Sequence, residues 1–208
     1  MRAQCVFPLL FLLASSTSIH AQGQLKKSSG TFSLGTRSTA SLFNGDDEGS
    51  TGLGIGGQFR LQFSDKVNSE WFADFITSSI DDRVSRSDYH IGWSLMFYPG
   101  KQRDFTQLIQ PYMLAGHCFD FTRITDDHND ANFKDRLSMA MQAGAGIHFN
   151  VTPRFDFSLS AQYMLHLGKD IHTAVLQDEV VIEKSNASKP EGHLLVTVSI
   201  NYKIANLW

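Results

Sequence analysis

The side chains of this chain that could do chemistry are its histidines, its serines and its carboxylates. His90, His148 and His166 share the polar parity of their segments, and a serine, histidine and acid set is what a hydrolase would need. These three lack paired spacing and point away from the apolar face, so they read as satisfied interior histidines. Gly52-Leu53-Gly54-Ile55-Gly56-Gly57 matches G-x-G-x-x-G, but cradling a phosphate needs a preceding strand and a following helix N-terminus. The segment runs instead into the alternating residues 58–63, which makes these packing glycines. Asp126, Asp127, His128, Asn129 and Asp130 could collect divalent cations, yet they lack the glycine of a calcium loop and read as a solvated loop. No catalytic residue, cofactor or metal site is expected.

What must position these groups follows from length and pattern. At 208 residues, the chain has room for one domain and a tail. Its 18 basic and 21 acidic side chains nearly balance, which argues against a nucleic-acid binder held by its overall field, and 12% aromatic content argues against disorder. Arg2, the apolar run 6–14, Ser15 to Ser18 and Ala21 have the layout of a secretory signal peptide, so residues 1–21 are expected to be removed. The run is too short for a spanning helix. Cys5 falls in that leader, which leaves Cys118 without an intramolecular partner. A linker at 22–29 and one domain at 30–208 are expected to follow.

From Thr31 onward apolar residues recur at every second position, the period of a strand with two unlike faces. Leu194, Val196, Val198, Ile200 and Tyr202 alternate with Thr197, Ser199, Asn201 and Lys203, and the same pattern fills 52–63, 88–97, 138–149 and 154–166. Less regular stretches at 31–43, 70–77 and 108–121 bring the expectation to eight strands. Short connections at 64–69, 99–104 and 150–153 alternate with long ones at 44–50, 78–87, 122–136 and 168–191. An up-and-down meander in a membrane explains that alternation.

Period two does not say which face is inside, but composition does. The polar face is mostly Gly, Ser, Gln and Thr with few charges, whereas a soluble domain would show about 25–35% charged residues to water. The polar face is therefore the interior, where Arg37, Arg60, Glu70, Asp74, Asp120, Arg154, Asp156 and Lys203 can pair across a narrow lumen. Trp71, Tyr89, Trp93, Phe97, Tyr163, Tyr202 and Trp208 would supply interfacial girdles on the outward face. His117 has outward parity, and a bulge or a rim position is expected there. The fold class is all-β: an eight-stranded antiparallel up-and-down transmembrane β-barrel.

Three stretches carry a family resemblance: Gln110-Pro111-Tyr112-Met113-Leu114-Ala115-Gly116, the run from Ala143 to Arg154 leading to Gln162-Tyr163, and a final strand closing on Trp208. They resemble the small outer-membrane β-barrel domain of the OmpA and OmpX type. The resemblance implies an outer-membrane location in a Gram-negative bacterium and a role for Tyr202 and Trp208 in a signal read by the barrel-insertion machinery. It also implies outer-membrane lipid and lipopolysaccharide as surroundings. A departure from the family's pattern is that no peptidoglycan-binding domain is expected after the barrel, which puts a wall-tethering role in doubt. The expected function is structural or interactive, on a non-conducting monomer that is not an enzyme and binds no nucleic acid. The alternatives are a lipid-A-modifying barrel enzyme and a soluble lipocalin-like binder of apolar ligands.

Overall fold

The computed structural model describes residues 28–44, 51–80, 83–100, 107–167, 171–176, 179–184 and 191–208. The expected leader, and all of the expected linker except Ser28 and Ser29, lie outside the described residues. The strands are β1 (Thr31–Asn44), β2 (Thr51–Gln62), β3 (Val67–Ile80), β4 (Val84–Phe97), β5 (Ile109–Asp126), β6 (Asn129–Asn150), β7 (Phe155–Leu167), β8 (Ile171–Leu176), β9 (Glu179–Lys184) and β10 (Glu191–Asn206). Eight of them close a barrel in the order β1-β10-β7-β6-β5-β4-β3-β2, antiparallel at every seam, while β8 and β9 form a separate hairpin in the β7–β10 connection.

Alternation decides which side chains leave the wall. Val198 and Ile200 are 52% and 45% exposed, while their strand neighbours Thr197, Ser199 and Asn201 are buried. The greasy face therefore points away from the barrel axis, as a lipid-exposed cylinder requires. On β5 the outward positions, His117 apart, are apolar up to Phe119 and Phe121 and then change to Arg123; on β6 the change falls between Leu137 and Asp135. Arg123 and Asp135 face each other in register and pair at 2.7 Å, which marks the upper edge of the apolar band. Trp93 falls midway along the outward run Phe97, Leu95, Trp93, Ile91 and Tyr89 of β4, so it is not a girdle residue at either end of that strand.

Two expected long loops turn out to be strand. β3 and β4 pair as far as Ile80 and Val84, and β5 and β6 pair until only Asp127 and His128 turn the chain. Above the lipid band the outward face of a hairpin meets water and no longer needs to be apolar, so period two fades while backbone pairing continues. The acidic run caps this turn: Asp126 Oδ1 accepts the His128 N–H at 2.9 Å, and Asp127 Oδ1 accepts the Ser85 hydroxyl at 2.6 Å. His117 makes no bulge; its pairing with Trp93 and Met141 is continuous, and its ring stands edge-on to Phe119 at 4.9 Å.

The opposite rim gathers both ends of the wall. Gly30 has φ +82, a conformation glycine adopts without a Cβ penalty, and a Cβ there would lie 2.9 Å from the Trp208 carbonyl oxygen. That close approach lets Leu207 N–H reach Gly30 O at 2.9 Å beside the β1–β10 seam. In the β6–β7 turn the Thr152 hydroxyl accepts the Phe155 and Arg154 N–H groups at 2.9 and 3.2 Å. This turn corrects one expected interior residue. Arg154 precedes β7 and donates to the Tyr202 hydroxyl at 3.2 Å on the exposed rim, because the strand begins one residue later than the alternation suggested.

Val198→Arg should cost about 2–4 kcal/mol in urea unfolding from phospholipid vesicles, the penalty for a guanidinium near the bilayer midplane. Thr125→Arg, beyond the band, should change stability by less than about 0.5 kcal/mol. Equal small effects at both positions would contradict the lipid-facing assignment.

Candidate functional site

The lumen is a stack of layers, two of them charged. The lower charged layer, toward the rim that carries the termini, is built around Arg60 on β2. Its Nε pairs with Glu70 Oε2 at 2.7 Å and its Nη1 with Asp156 Oδ1 at 3.1 Å, while Nη2 donates to Ser158 Oγ at 3.2 Å. Lys203 Nζ lies 3.0 Å from the other Asp156 oxygen and donates to Asn150 Oδ1 at 3.2 Å. Arg37 joins Glu70 at 3.2 Å and Asp74 at 3.1 Å, with its guanidinium 4.4 Å above the Phe72 ring. Three cations thus meet three carboxylates, all buried. Burying such charges is tolerable only because each is paired and hydrogen-bonded.

Glycines make room for this layer. A Cβ on Gly56 would collide with Asp74 Oδ1 and the Ala73 carbonyl, so the literal phosphate motif is packing glycine along β2. Below, Tyr98 Oη and His148 Nε2 lie 3.0 Å apart, and His148 Nδ1 lies 2.6 Å from Ser158 Oγ. The Tyr112 ring stacks on His148 at 4.3 Å. A cavity of about 10 Å³ remains between Arg60, Tyr98, His148, Asp156 and Lys203, space for about one water molecule.

Above the lower layer sits an apolar one, Phe72, Ile76, Cys118, Ala140, Met164 and Leu195, which the alternation did not reveal. The upper charged layer follows. Asp120 on β5 is approached by His90 from β4 and His166 from β7, each at 3.2 Å, and by Arg136 from β6 at 3.6 Å. Arg86 pairs with Asp88 at 3.0 Å, the Thr122 hydroxyl donates to Asp88 at 2.7 Å, and His166 Nε2 lies 3.3 Å from His193 Nε2. Two arginines balance two carboxylates. Ile80, Val84 and Ile124 form a small apolar cluster above them on the β3–β5 side of the wall.

Of the sequence-derived interior set, Arg60, Glu70, Asp74, Asp156 and Lys203 meet in the lower layer, and Arg154 stays outside it. His90 and His166 come together in the upper layer, while His148 belongs to the lower one. Arg86, Arg136 and His193 were missed, although extending period two by two residues from Asp88, Ser138 and Leu195 would have put them inside. Tyr202 is outward at the rim against Phe155, at 4.8 Å between ring centroids, and Trp208 is exposed beyond β10.

A closed eight-strand wall with an apolar outside and a neutralised, packed inside defines a small transmembrane barrel. The family model described as outer membrane protein beta-barrel domain matches residues 7–183, and the chain belongs to that family, which places it in the outer membrane. Among solved structures it is similar to Neisserial surface protein A, at 12% identity over 83% of this chain and 97% of that one, with a TM-score of 0.59. It is also similar to a major outer membrane protein from Thermus thermophilus, at 9% identity over 83% of this chain and 99% of that one, with a TM-score of 0.55. Outer membrane protein OprG from Pseudomonas aeruginosa follows at 16% identity over 86% of this chain and 97% of that one, with a TM-score of 0.50. At such identities the likeness concerns the fold. No curated protein sequence matches significantly.

Arg60→Ala leaves Glu70 and Asp156 each short of a buried partner, so urea unfolding should report a loss of about 3 kcal/mol. The double variant Arg60→Ala with Glu70→Ala should lose less than the sum of the two single variants by roughly 0.5–3 kcal/mol. Strict additivity would mean that the pair contributes no coupling.

Proposed function

We propose that this barrel anchors surface-exposed connections in the outer membrane and conducts no solute. The observation that supports this reading is the neutralised interior: side chains from facing strands join across the lumen in two layers with apolar packing between them. Gln58 on β2 donates to Asn201 on β10 at 2.6 Å and Gln142 on β6 to Ser94 on β4 at 2.7 Å, so the layers are tied to the wall on several sides. A solute would have to break buried ion pairs, each costly to separate without water.

The parts free to vary are the connections opposite the terminal rim. The β3–β4 and β5–β6 hairpins stand above the lipid band, and the β8–β9 hairpin extends the longest connection. The reading places lipopolysaccharide and envelope components against these elements, the barrel-insertion machinery at Tyr202 and Trp208 during assembly, and a monomer in the membrane. It includes removal of residues 1–21 and no enzymatic activity, since the histidines a lipid-A hydrolase would need are enclosed by the wall.

In planar bilayers the folded protein should give no sustained conductance, and on intact cells added protease should cut the β7–β10 connection while the remaining barrel keeps its heat-modifiable gel migration. A steady large conductance would refute the closed lumen. Protection of that connection on intact cells, with cleavage only after lysis, would refute its surface display.

A further inference from the structure

We propose that the upper charged layer is a binding site for one first-row transition-metal dication of the zinc class, with His90, Asp120 and Asp88 as ligands and His166 orienting Asp120. His90 is completely buried, yet neither of its ring nitrogens has a hydrogen-bond partner among the described residues. A neutral imidazole carries one donor and one acceptor, and both are left unmatched here. The expectation that the interior histidines are satisfied fails at this residue.

The geometry of the neighbouring carboxylate points to the same place. Asp120 Oδ2 accepts the hydroxyls of Thr122 at 3.2 Å and Ser138 at 3.3 Å and faces His166 Nδ1 at 3.2 Å. Asp120 Oδ1 has no hydrogen-bond partner, although His90 Nε2 is only 3.2 Å away. At that distance the two atoms would be joined if the N–H were aimed at the oxygen. They approach off that axis, as Arg37 Nε and Asp74 Oδ1 do in the lower layer at 3.1 Å, but here both atoms can serve as metal ligands. Two ligands each about 2.1 Å from a tetrahedral zinc ion are roughly 3.4 Å apart, close to the separation observed. Asp88 completes the group, with one ligand atom from each of Asp88, His90 and Asp120 lying within 4.8 Å of the others.

The remaining groups set the character of the site. Imidazole with carboxylate suits zinc and its neighbours better than calcium or magnesium, which prefer oxygen alone. His166, holding Oδ2, fixes the orientation of Oδ1, the usual task of a group that hydrogen-bonds a metal-bound carboxylate. His193 stands beside the site, its ring centroid 5.7 Å from that of His90. Arg86 on Asp88 and Arg136 near Asp120 already balance those two carboxylates, so the ion has to compete with both arginines for them. Ile80, Val84 and Ile124 above and the Arg60 layer below limit access, so the ion is acquired as the barrel folds.

The test is to fold the full mature chain in detergent with Co2+ or Zn2+, remove loose metal, and measure bound metal together with the visible ligand-field bands of Co2+. One ion per barrel is expected, not displaced by calcium or magnesium. His90→Gln and Asp120→Asn should weaken binding by roughly 100-fold or more, and His166→Gln by roughly 10-fold, the scale of a lost orienting contact. His148→Gln, in the other layer, should leave binding unchanged, and heat-modifiable migration reports that each variant has folded. Absence of stoichiometric metal on the folded wild type would overturn the site, as would binding unchanged by His90→Gln and Asp120→Asn. If those variants do not fold, zinc-edge X-ray absorption of the wild type decides: imidazole scattering supports the site and an oxygen-only shell overturns it.

Discussion

Hydrocarbon offers no partner to a peptide N–H or carbonyl, and the rest of this structure depends on that constraint. A sheet in lipid must bond every strand on both edges, which is possible only if the last strand returns to the first. Here β10 runs antiparallel along the whole of β1, from Thr31 opposite Asn206 to Asn44 opposite Gly192. Gly30 lets the two ends of the wall cross at close range, and Leu207 N–H on Gly30 O secures them. The short turns on this rim and the longer hairpins opposite follow from a meander with an even number of wall strands.

Closure creates the second problem, a narrow interior that must be filled. The chain fills it with alternating kinds of layer, not with a uniform polar core. The Arg60 and Asp120 layers are charged and internally neutral, and between them Phe72, Ile76, Met164 and Leu195 pack against one another. Paired arginines and carboxylates hold facing strands together in a way apolar side chains cannot, because an ion pair fixes direction as well as distance. The two layers are not equivalent. Each holds a facing pair that approaches without bonding, Arg37 Nε with Asp74 Oδ1 in the lower layer and His90 Nε2 with Asp120 Oδ1 in the upper, but only in the upper one are both atoms able to ligate a metal. A guanidinium is a donor only and cannot ligate an ion, whereas a neutral imidazole can, and this difference gives the upper layer its capacity for a ligand.

How much of this was legible in the residues differs from one part to another. The eight wall strands were legible because lipid on one side and a packed lumen on the other impose period two, and Val198, Ile200 and their neighbours carry it without interruption. The β5–β6 projection was not legible, since past Arg123 and Asp135 the outward face meets water and the contrast between the faces is lost. Arg154 was misplaced by one residue of register at a strand start, where a turn residue and an inward residue share the same parity. Phe72, Met164 and Leu195 stayed hidden because apolar residues on the inward face erase the contrast on which alternation depends.

The sequence by itself determined which side of each strand meets lipid, since successive side chains leave a strand on opposite faces and that is a local property of the backbone. It also determined that the enclosed charges would be few and mixed in sign. Only the tertiary structure decided which of them meet. His90, Asp120, His166 and His193 come from four strands, and nothing along the chain relates them until the register of each seam and the closure of β10 on β1 set their heights and bring them to one level of the lumen.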